Sequence, residues 1–389
     1  MRILLLSFYY APDLSAGSFR TTALVRALAA AAPQARIDVV TALPNRYRSF
    51  DVGAPEDEVH DNVRIRRFAL PAHASGMFDQ SRAFASFAAQ VLRHTRGRRY
   101  DLVYATSSRL MTAALGAFLA RRVGGRLYLD IRDIFVDTIK DVLPRRFAAF
   151  AQPLFARLER WTMNRADRIN LVSPGFAEYF RARYPHTPLS FFTNGIDDEF
   201  VAAAAQTDVP RPAADGPATI LYAGNLGEGQ GLHAIVPALA RALRGRARFR
   251  IVGDGGRRDA LRAALEGVDN VELSPPVARD ALIEAYRRAD VLFLHLNNYD
   301  AFRKVLPSKL FEYAAMGKPI LAGVAGQSAE FIRAEIDNAA VFPPCDVAQA
   351  VTAFESLELR ATPRPAFIER YARARIMAAM AGDVLRTAA

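Results

Sequence analysis

The sequence predicts an α/β protein of two consecutive Rossmann-like units, each a doubly wound parallel sheet. Its 389 residues exceed what one ordinary core organises and suit two domains of about 190 residues each. Short β-rich runs alternate with longer helical runs throughout, the pattern of parallel strands joined by helical crossovers. Between the halves, Val201-Ala-Ala-Ala-Ala-Gln206 gives way to Pro210, Pro212, Gly216 and Pro217, a composition break that marks the linker.

In the first half, strands are expected at 2–8, 36–41, 63–68, 101–105, 126–130 and 168–172, with helices such as 18–31 and 111–122 between them. The opening run Met1-Arg2-Ile3-Leu4-Leu5-Leu6 resembles a signal peptide. However, Tyr9-Tyr10-Ala11-Pro12-Asp13 stands where a small-residue cleavage site would be, so the run reads as a buried first strand. The second series starts at Ala218-Thr-Ile-Leu-Tyr-Ala223 and continues with strands at 248–252, 271–273, 290–294 and 319–323. The last stretch, 365–385, carries one uninterrupted helical pattern. The expected division is 1–205 and 206–365 for the two units, with 366–389 a helix crossing back to the first. Open α/β sheets bind ligands at the carboxyl ends of their strands, so two such units are expected to share a cleft.

Composition narrows the class. Apolar residues make up 51% and charged residues 23%, which fits a globular chain rather than a disordered one. No apolar run reaches the roughly 20 residues of a membrane span, and a single cysteine, Cys345, leaves no internal disulfide framework. A cytoplasmic location is expected. The net charge of +11 favours polyanionic partners: nucleic acid, anionic lipid or phosphorylated substrates. Zinc-finger spacing, RNA-recognition aromatics and a basic zipper are all missing, so nucleic acid is not an expected partner. One local source of charge is 140–168, where Arg145, Arg146, Arg157, Arg160, Arg165 and Arg168 interleave with Phe147, Phe150, Phe155 and Trp161. Such a helix suits an anionic membrane face; the alternative is a core-packed helix with a solvated basic side. Residues 78–99 form a second, weaker candidate.

The most informative stretch is Leu306-Pro-Ser-Lys-Leu-Phe-Glu-Tyr-Ala-Ala-Met-Gly-Lys-Pro319. Ser308 is a natural N-cap and Gly317 before Pro319 a natural stop, which predicts a helix over 309–316. Its start, after a loop containing Arg303 and Lys304, offers free N–H groups and partial positive charge to a diphosphate. Lys309 is placed to meet a phosphate, and Glu312, on the same face, to accept hydrogen bonds from ribose hydroxyls. A capped surface helix with an intrahelical ion pair is the alternative. After the strand at 126–130, Asp130-Ile-Arg-Asp133 opens a loop in which Asp133 could orient an acceptor hydroxyl or a donor sugar, and Arg132 could hold it or a phosphate. The alternative there is a buried ion pair closing the strand end. Gly17 lets backbone amides approach a diphosphate, or serves a tight turn. Gly253-Asp254-Gly255-Gly256 either borders a nucleotide or is turn chemistry alone. Pro275-Pro276-Val277 offers backbone groups to a base edge.

Pro307-Ser308-Lys309-Leu310-Phe311-Glu312-Tyr313 followed by Met316-Gly317-Lys318-Pro319 resembles the donor-site signature of the family 4 retaining glycosyltransferases. The nearest similarity is to the bacterial surface-polysaccharide subgroup, which includes amino-sugar transferases. Tyr10 to Gly17 with Arg20, Leu171-Val-Ser-Pro-Gly175, Thr193-Asn-Gly-Ile-Asp197, Tyr222-Ala-Gly-Asn-Leu-Gly227 through Gln230-Gly231, Val252-Gly-Asp-Gly255 and Ala289-Asp290 resemble further landmarks in order. Each is common alone, but their joint order covers nearly the whole chain. The resemblance implies the GT-B fold of two facing Rossmann-like domains, metal-independent catalysis and no cofactor beyond a nucleotide-sugar co-substrate. A UDP-linked donor is favoured over GDP only through the amino-sugar transferases.

The residues agree on metal: there is no Asp-x-Asp, and histidines 60, 73, 94, 186, 233 and 295 lack ligand spacing. Leaving-group charge then falls to side chains and helix dipoles. Two departures matter. The family carries a glutamate separated by seven residues from the position of Glu312, where this chain has Lys304. Many members also carry Arg and Lys in the loop after the first strand of the second domain, where this chain has Asn225 and Gln230 beside Gly224.

The sequence therefore points to a glycosyltransferase acting on a saccharide or polyprenyl-linked acceptor. Asp133, Arg132 and Lys309 are its expected catalytic groups. Gly17, Gly224, Asn225, Gln230, Gly253, Val277, Arg303, Lys304, Ser308, Lys309 and Glu312 are expected to bind the donor. A nucleotide-sugar 2-epimerase would need acid/base groups on both sides of the sugar, and no such acidic–histidine set stands out. A non-catalytic scaffold of the same fold is the other alternative.

Overall fold

The computed structural model describes residues 1–13, 15–44, 53–71, 77–107, 110–136, 145–205 and 216–389, with backbone alone at 77–78 and 145–151. Two compact units emerge, Met1–Thr193 with Arg373–Ala389, and Asn194–Ala372.

The first unit holds β1 (Arg2–Leu6), β2 (Arg36–Ala42), β3 (Asp57–His60), β4 (Val63–Phe68), β5 (Leu102–Thr106), β6 (Arg126–Ile131), β7 (Arg168–Leu171) and β8 (Leu189–Ser190). Their order across the sheet is β3-β4-β2-β1-β5-β6-β7-β8, parallel except at the β3–β4 hairpin. Ile3 to Leu6 are buried on both faces, as a central parallel strand requires, which explains the apolar opening of the chain. The polar β3 is an edge strand held to β4 by hairpin pairing, so it carried no apolar signal; the two-residue β8 was equally unreadable.

The second unit contains β9 (Ala218–Ala223), β10 (Ala247–Val252), β11 (Val271–Ser274), β12 (Val291–His295), β13 (Ile320–Gly323) and β14 (Ala339–Phe342). All are parallel, in the order β11-β10-β9-β12-β13-β14. This is the doubly wound Rossmann order, with helices packed on both faces.

The division of the chain differs from the expected one at both ends of the second unit. Ile196, Phe200 and Ala203 are buried with Tyr286, Leu310 and Tyr313 in that unit's core, so the segment from Asn194 belongs to it. Of the expected linker, 201–217, residues 206–215 lie outside the described residues, while 201–205 close the helix Asp198–Ala205, which packs in the second unit's core and so is not a linker. The C-terminal stretch is two helices rather than one, Pro365–Tyr371 and Arg373–Ala388. Between them Ala372 turns extended (ψ 125°) and bridges Ile196. Phe367 and Tyr371 pack on Phe311 in the second unit. Met377, Met380, Ala381 and Val384 pack with Leu24 and Leu28 in the first. Both halves keep helical apolar spacing and no Gly or Pro separates them, so the pattern hid the break.

Candidate active site

In each sheet the strand order reverses once, between β1 and β5 and between β9 and β12, and ligand sites of open sheets lie beyond the carboxyl ends at such a reversal. The loops leaving these strands carry most of the expected residues.

β9 ends at Ala223 and the chain passes through Gly224 with φ +142°. A Cβ on Gly224 would overlap the ammonium of Lys309, so the missing side chain is what lets that lysine reach the strand end. Lys309 Nζ donates to Tyr222 Oη at 3.5 Å and sits 5.0 Å from the centre of its ring, a cation–π contact. A positive charge is thus held against bare backbone beside the central strand. Gly253 has a backbone reason of its own, because any Cβ there would run into the carbonyl of Gly224. The two glycine loops are laced together by Gly224 N to Val252 O at 2.8 Å and Leu226 N to Asp254 O at 2.9 Å.

Asn225 and Gln230 bond within their own loop. Asn225 Nδ2 and Gly227 N both donate to Gln230 Oε1, at 2.8 and 3.2 Å. The loop is anchored by His295, which sequence reasoning passed over for lack of ligand spacing. Cys345 N donates to His295 Nε2 at 3.0 Å, so Nδ1 carries the proton and donates to Gln230 O at 2.7 Å. Burial pushes its pKa down to about 4, which keeps the ring neutral. Its only sequence signal was a polar residue closing an apolar strand.

The helix Lys309–Ala315 is buried along Leu310–Ala315, which removes the surface-helix alternative. Ser308 precedes it in helical conformation and its side chain makes no capping bond; Pro307 O instead accepts from Leu310 N at 3.2 Å. The capping role expected of Ser308 is therefore not used. Glu312 is 8% exposed. Tyr286 Oη donates to its Oε2 at 3.3 Å, and Arg279 lies 3.8 Å from its Oε1 while also pairing with Asp197. Arg279 and Asp197 were not singled out as a pair by the sequence, because 82 residues separate them. Arg303 and Lys304 lie on the 3-10 turn Asp300–Lys304, Arg303 exposed and 3.5 Å from Asp300. That turn packs on the glycine loop, since Phe302 fills the space a Gly229 side chain would need. Val277 is half-buried against the core of its unit.

In the first unit Gly17 lies in the first turn of the helix Ala16–Ala31, not in a tight turn, with Ser15 Oγ accepting from Ser18 N at 3.1 Å. The position its Cβ would take is 3.8 Å from the Arg132 guanidinium, and Arg132 donates to Ala16 O at 3.4 Å. The fold therefore brings Gly17 and Arg132 together. Burial, reinforced by Arg20 but opposed by Asp130, lowers Arg132 to about 10, leaving it cationic at neutral pH. Beside it Asp133 Oδ1 is buried with no hydrogen-bond partner among the described residues. Burial raises this carboxyl to about 7, with Arg132 opposing the rise and Glu159 adding to it.

A buried ion pair does close this strand end, but through Asp130. Arg20 grips it at 2.8 and 3.0 Å, Tyr104 Oη donates at 2.9 Å and Asn170 Nδ2 at 2.7 Å. Burial works against both charges, yet Asp130 stays below and Arg20 above its ordinary pKa because each is paired with the other. Arg132 and Asp133 are left out of that pairing.

The basic helix spans Arg145–Arg165; Lys140 and the side chains of Arg145, Arg146, Phe147 and Phe150 lie outside the described residues. Of the rest, Leu154 (66%), Trp161 (38%), Arg157, Arg160 and Arg165 are exposed, so apolar and basic groups share one surface. In the helix Met77–His94, by contrast, Phe84 and Phe87 pack on Phe8 in the core. Among the described residues no helix is long and apolar enough to cross a membrane, and no cluster of three His, Cys, Asp or Glu could hold a metal.

Comparisons with known proteins bear on the family and the fold. Residues 18–195 match the Glycosyl transferase 4-like domain and residues 217–358 the Glycosyl transferases group 1 family. The chain is 27% identical over 345 residues, 82% of each protein, to the putative colanic acid biosynthesis glycosyl transferase WcaI of Escherichia coli K12. Among solved structures it resembles sucrose-phosphate synthase from Thermosynechococcus elongatus, with TM-score 0.76, 17% identity and coverage of 99% and 98%. It also resembles HepE of Anabaena, solved in complex with UDP, with TM-score 0.65, 16% identity and coverage of 99% and 100%. These structural likenesses establish the fold, two Rossmann-like units of GT-B type.

Proposed function

We propose that this chain, which belongs to the family 4 glycosyltransferases of GT-B fold, moves a sugar from a UDP-linked donor to a saccharide or polyprenyl-linked acceptor in surface-polysaccharide synthesis. The observation that carries the reading is Lys309 held against the bare backbone of Gly224 at the strand-order reversal. A cation there, beside amides of a glycine loop, suits a pyrophosphate. Arg303 and Lys304, carried on a turn packed against that loop, add positive charge. The Ser308 hydroxyl, unused for capping, is available to a phosphate oxygen. Glu312, fixed by Arg279 and Tyr286, presents its carboxylate to ribose hydroxyls.

In the retaining course, the acceptor hydroxyl attacks the anomeric carbon from the face the nucleotide leaves. The new C–O bond forms as the sugar–phosphate bond breaks, and the hydroxyl proton passes to the departing β-phosphate. Lys309 and its neighbours stabilise the charge growing on that phosphate, which is where stabilisation lowers the barrier, without a metal ion. Arg132 and Asp133 orient the acceptor. What supports the stereochemical course is the family; what supports a polysaccharide role is the colanic acid relative. The exposed Arg157, Arg160, Leu154 and Trp161 support peripheral binding to an anionic membrane face on the cytoplasmic side.

The test is a thermal-shift panel of nucleoside diphosphates and their sugars. Ligand at 100 times its Kd stabilises by about 2.7 kcal/mol, and a tenfold weaker Kd leaves about 1.4 kcal/mol, so UDP raises the melting point of wild type roughly twice as far as that of Lys309→Ala. A panel in which no nucleoside diphosphate shifts the protein overturns the reading. Incubating the bound donor alone, without acceptor, separates transfer from 2-epimerisation, which would return an isomerised sugar.

A further inference from the structure

The first unit contains a second concavity that none of these roles uses, a groove of about 1430 Å³. One wall is the helix Ala16–Ala31 through Thr22, Arg26 and Ala29; the other is the β3–β4 hairpin. Val25, Val63 and Ile65 form part of its apolar floor. It runs the length of β4, from Arg36 and Arg99 at the amino ends of the strands to Tyr10 and Arg67 at their carboxyl ends. Six residues of strand at about 3.3 Å each give roughly 20 Å. Its upper end opens beside the loop that leads into Gly17.

Charge along this groove is one-sided. Among the described residues seven arginines line it against Asp38, Glu58 and Asp61. Arg64, Arg67 and Arg98 are committed to Asp57, Glu58 and Asp38. The side chains of Arg2, Arg26, Arg36 and Arg99 make no hydrogen bond or ion pair among the described residues and are exposed. A row of uncompensated guanidiniums along a trough selects a ligand that is both long and repeatedly anionic. Single-stranded nucleic acid would need exposed rings to stack on, whereas the tyrosines here, Tyr10 and Tyr100, are 5% and 4% exposed. A bilayer is flat and does not enter a trough.

We propose that this groove binds an acidic oligosaccharide, several sugar rings long, whose carboxylates meet Arg26, Arg36 and Arg99. This deepens the function proposed above by naming the acceptor class, an anionic glycan whose distal part lies along the helix Ala16–Ala31 while its reacting end reaches the carboxyl edge of the sheet.

The experiment uses the full chain, with fluorescence-labelled tetragalacturonate as probe, a neutral tetrasaccharide as control, and Arg26→Glu/Arg36→Glu/Arg99→Glu as variant. All three positions are exposed and make no side-chain hydrogen bond or ion pair among the described residues, and a thermal melt checks that the variant stays folded. Expected is salt-sensitive binding of tetragalacturonate alone, weakened roughly tenfold or more in the variant, with UDP binding unchanged. Equal binding by the variant overturns the proposal. So does equal competition by inorganic phosphate, which means a point charge site, or competition by anionic phospholipid vesicles, which means a membrane face. A wild type that binds UDP but not tetragalacturonate removes only the groove; a wild type that does not bind UDP removes the donor reading instead.

Discussion

Replacing Asp133 by Asn is expected to stabilise the protein at alkaline pH while destroying its activity. Asp133 is half-buried beside Arg132, its Oδ1 enclosed and unpartnered among the described residues, and burial raises the carboxyl from 3.8 to about 7. A carboxylate whose pKa is higher in the folded state binds more protons folded than unfolded between those values. Stability on this account is greatest below the unfolded pKa and falls as pH rises towards 7. Above pH 7 the cost is complete. At about 1.4 kcal/mol per pH unit its ceiling is roughly 4 kcal/mol, and relaxation and water around a half-buried group reduce this to roughly 1–2 kcal/mol. Asn keeps the shape and removes the charge. For a unit of this size each kcal/mol moves the melting point roughly 2–4 °C, so Asp133→Asn melts roughly 2–8 °C higher at pH 8 and level with wild type at pH 4. Melting curves of both proteins across that range test this, alongside transfer assays at pH 8. A difference that does not change with pH, or a variant less stable at pH 8, refutes the burial argument. Retained transfer activity refutes the role given to the side chain.

Other consequences are equally open to measurement. Gly224→Ala displaces Lys309, so UDP affinity drops roughly tenfold, about 1.4 kcal/mol; adding Lys309→Ala to it costs no more than either change alone, as isothermal titration would show. Asp130→Asn breaks a fully buried pair, worth roughly 3–5 kcal/mol, and lowers the melting point well beyond any surface change. Because Asp130 is held below its ordinary pKa, its stabilisation is present above that value and is lost as pH falls through the folded one; in the Asn variant this acid dependence is gone. His295, pushed down to about 4, contributes stability above pH 6.5 that is lost as pH falls towards 4, and its ring resonances in NMR do not titrate between pH 5 and 8.

Much of this protein was legible as a line of residues. Continuous apolar runs such as Ile3–Leu6 and Val291–Leu294 read as strands because a parallel sheet buries both faces of each one. The succession of such runs with helices between them specified two doubly wound units. Lys309 and Gly17 could be named because helix starts have a fixed relation to the strands they follow, and Gly224 through the family resemblance.

Tertiary structure decided what those residues touch. Hydrophobic periodicity says that a segment is buried but not against what. The segment after Asn194 and the two C-terminal helices were therefore assigned to their units by packing alone. Contact across large sequence separations decided the rest: Asp130 is claimed by Arg20 rather than Arg132, and Glu312 is met by Arg279 and Tyr286. Partner choice among charges depends on distance and burial, and a sequence encodes both only through the fold it adopts.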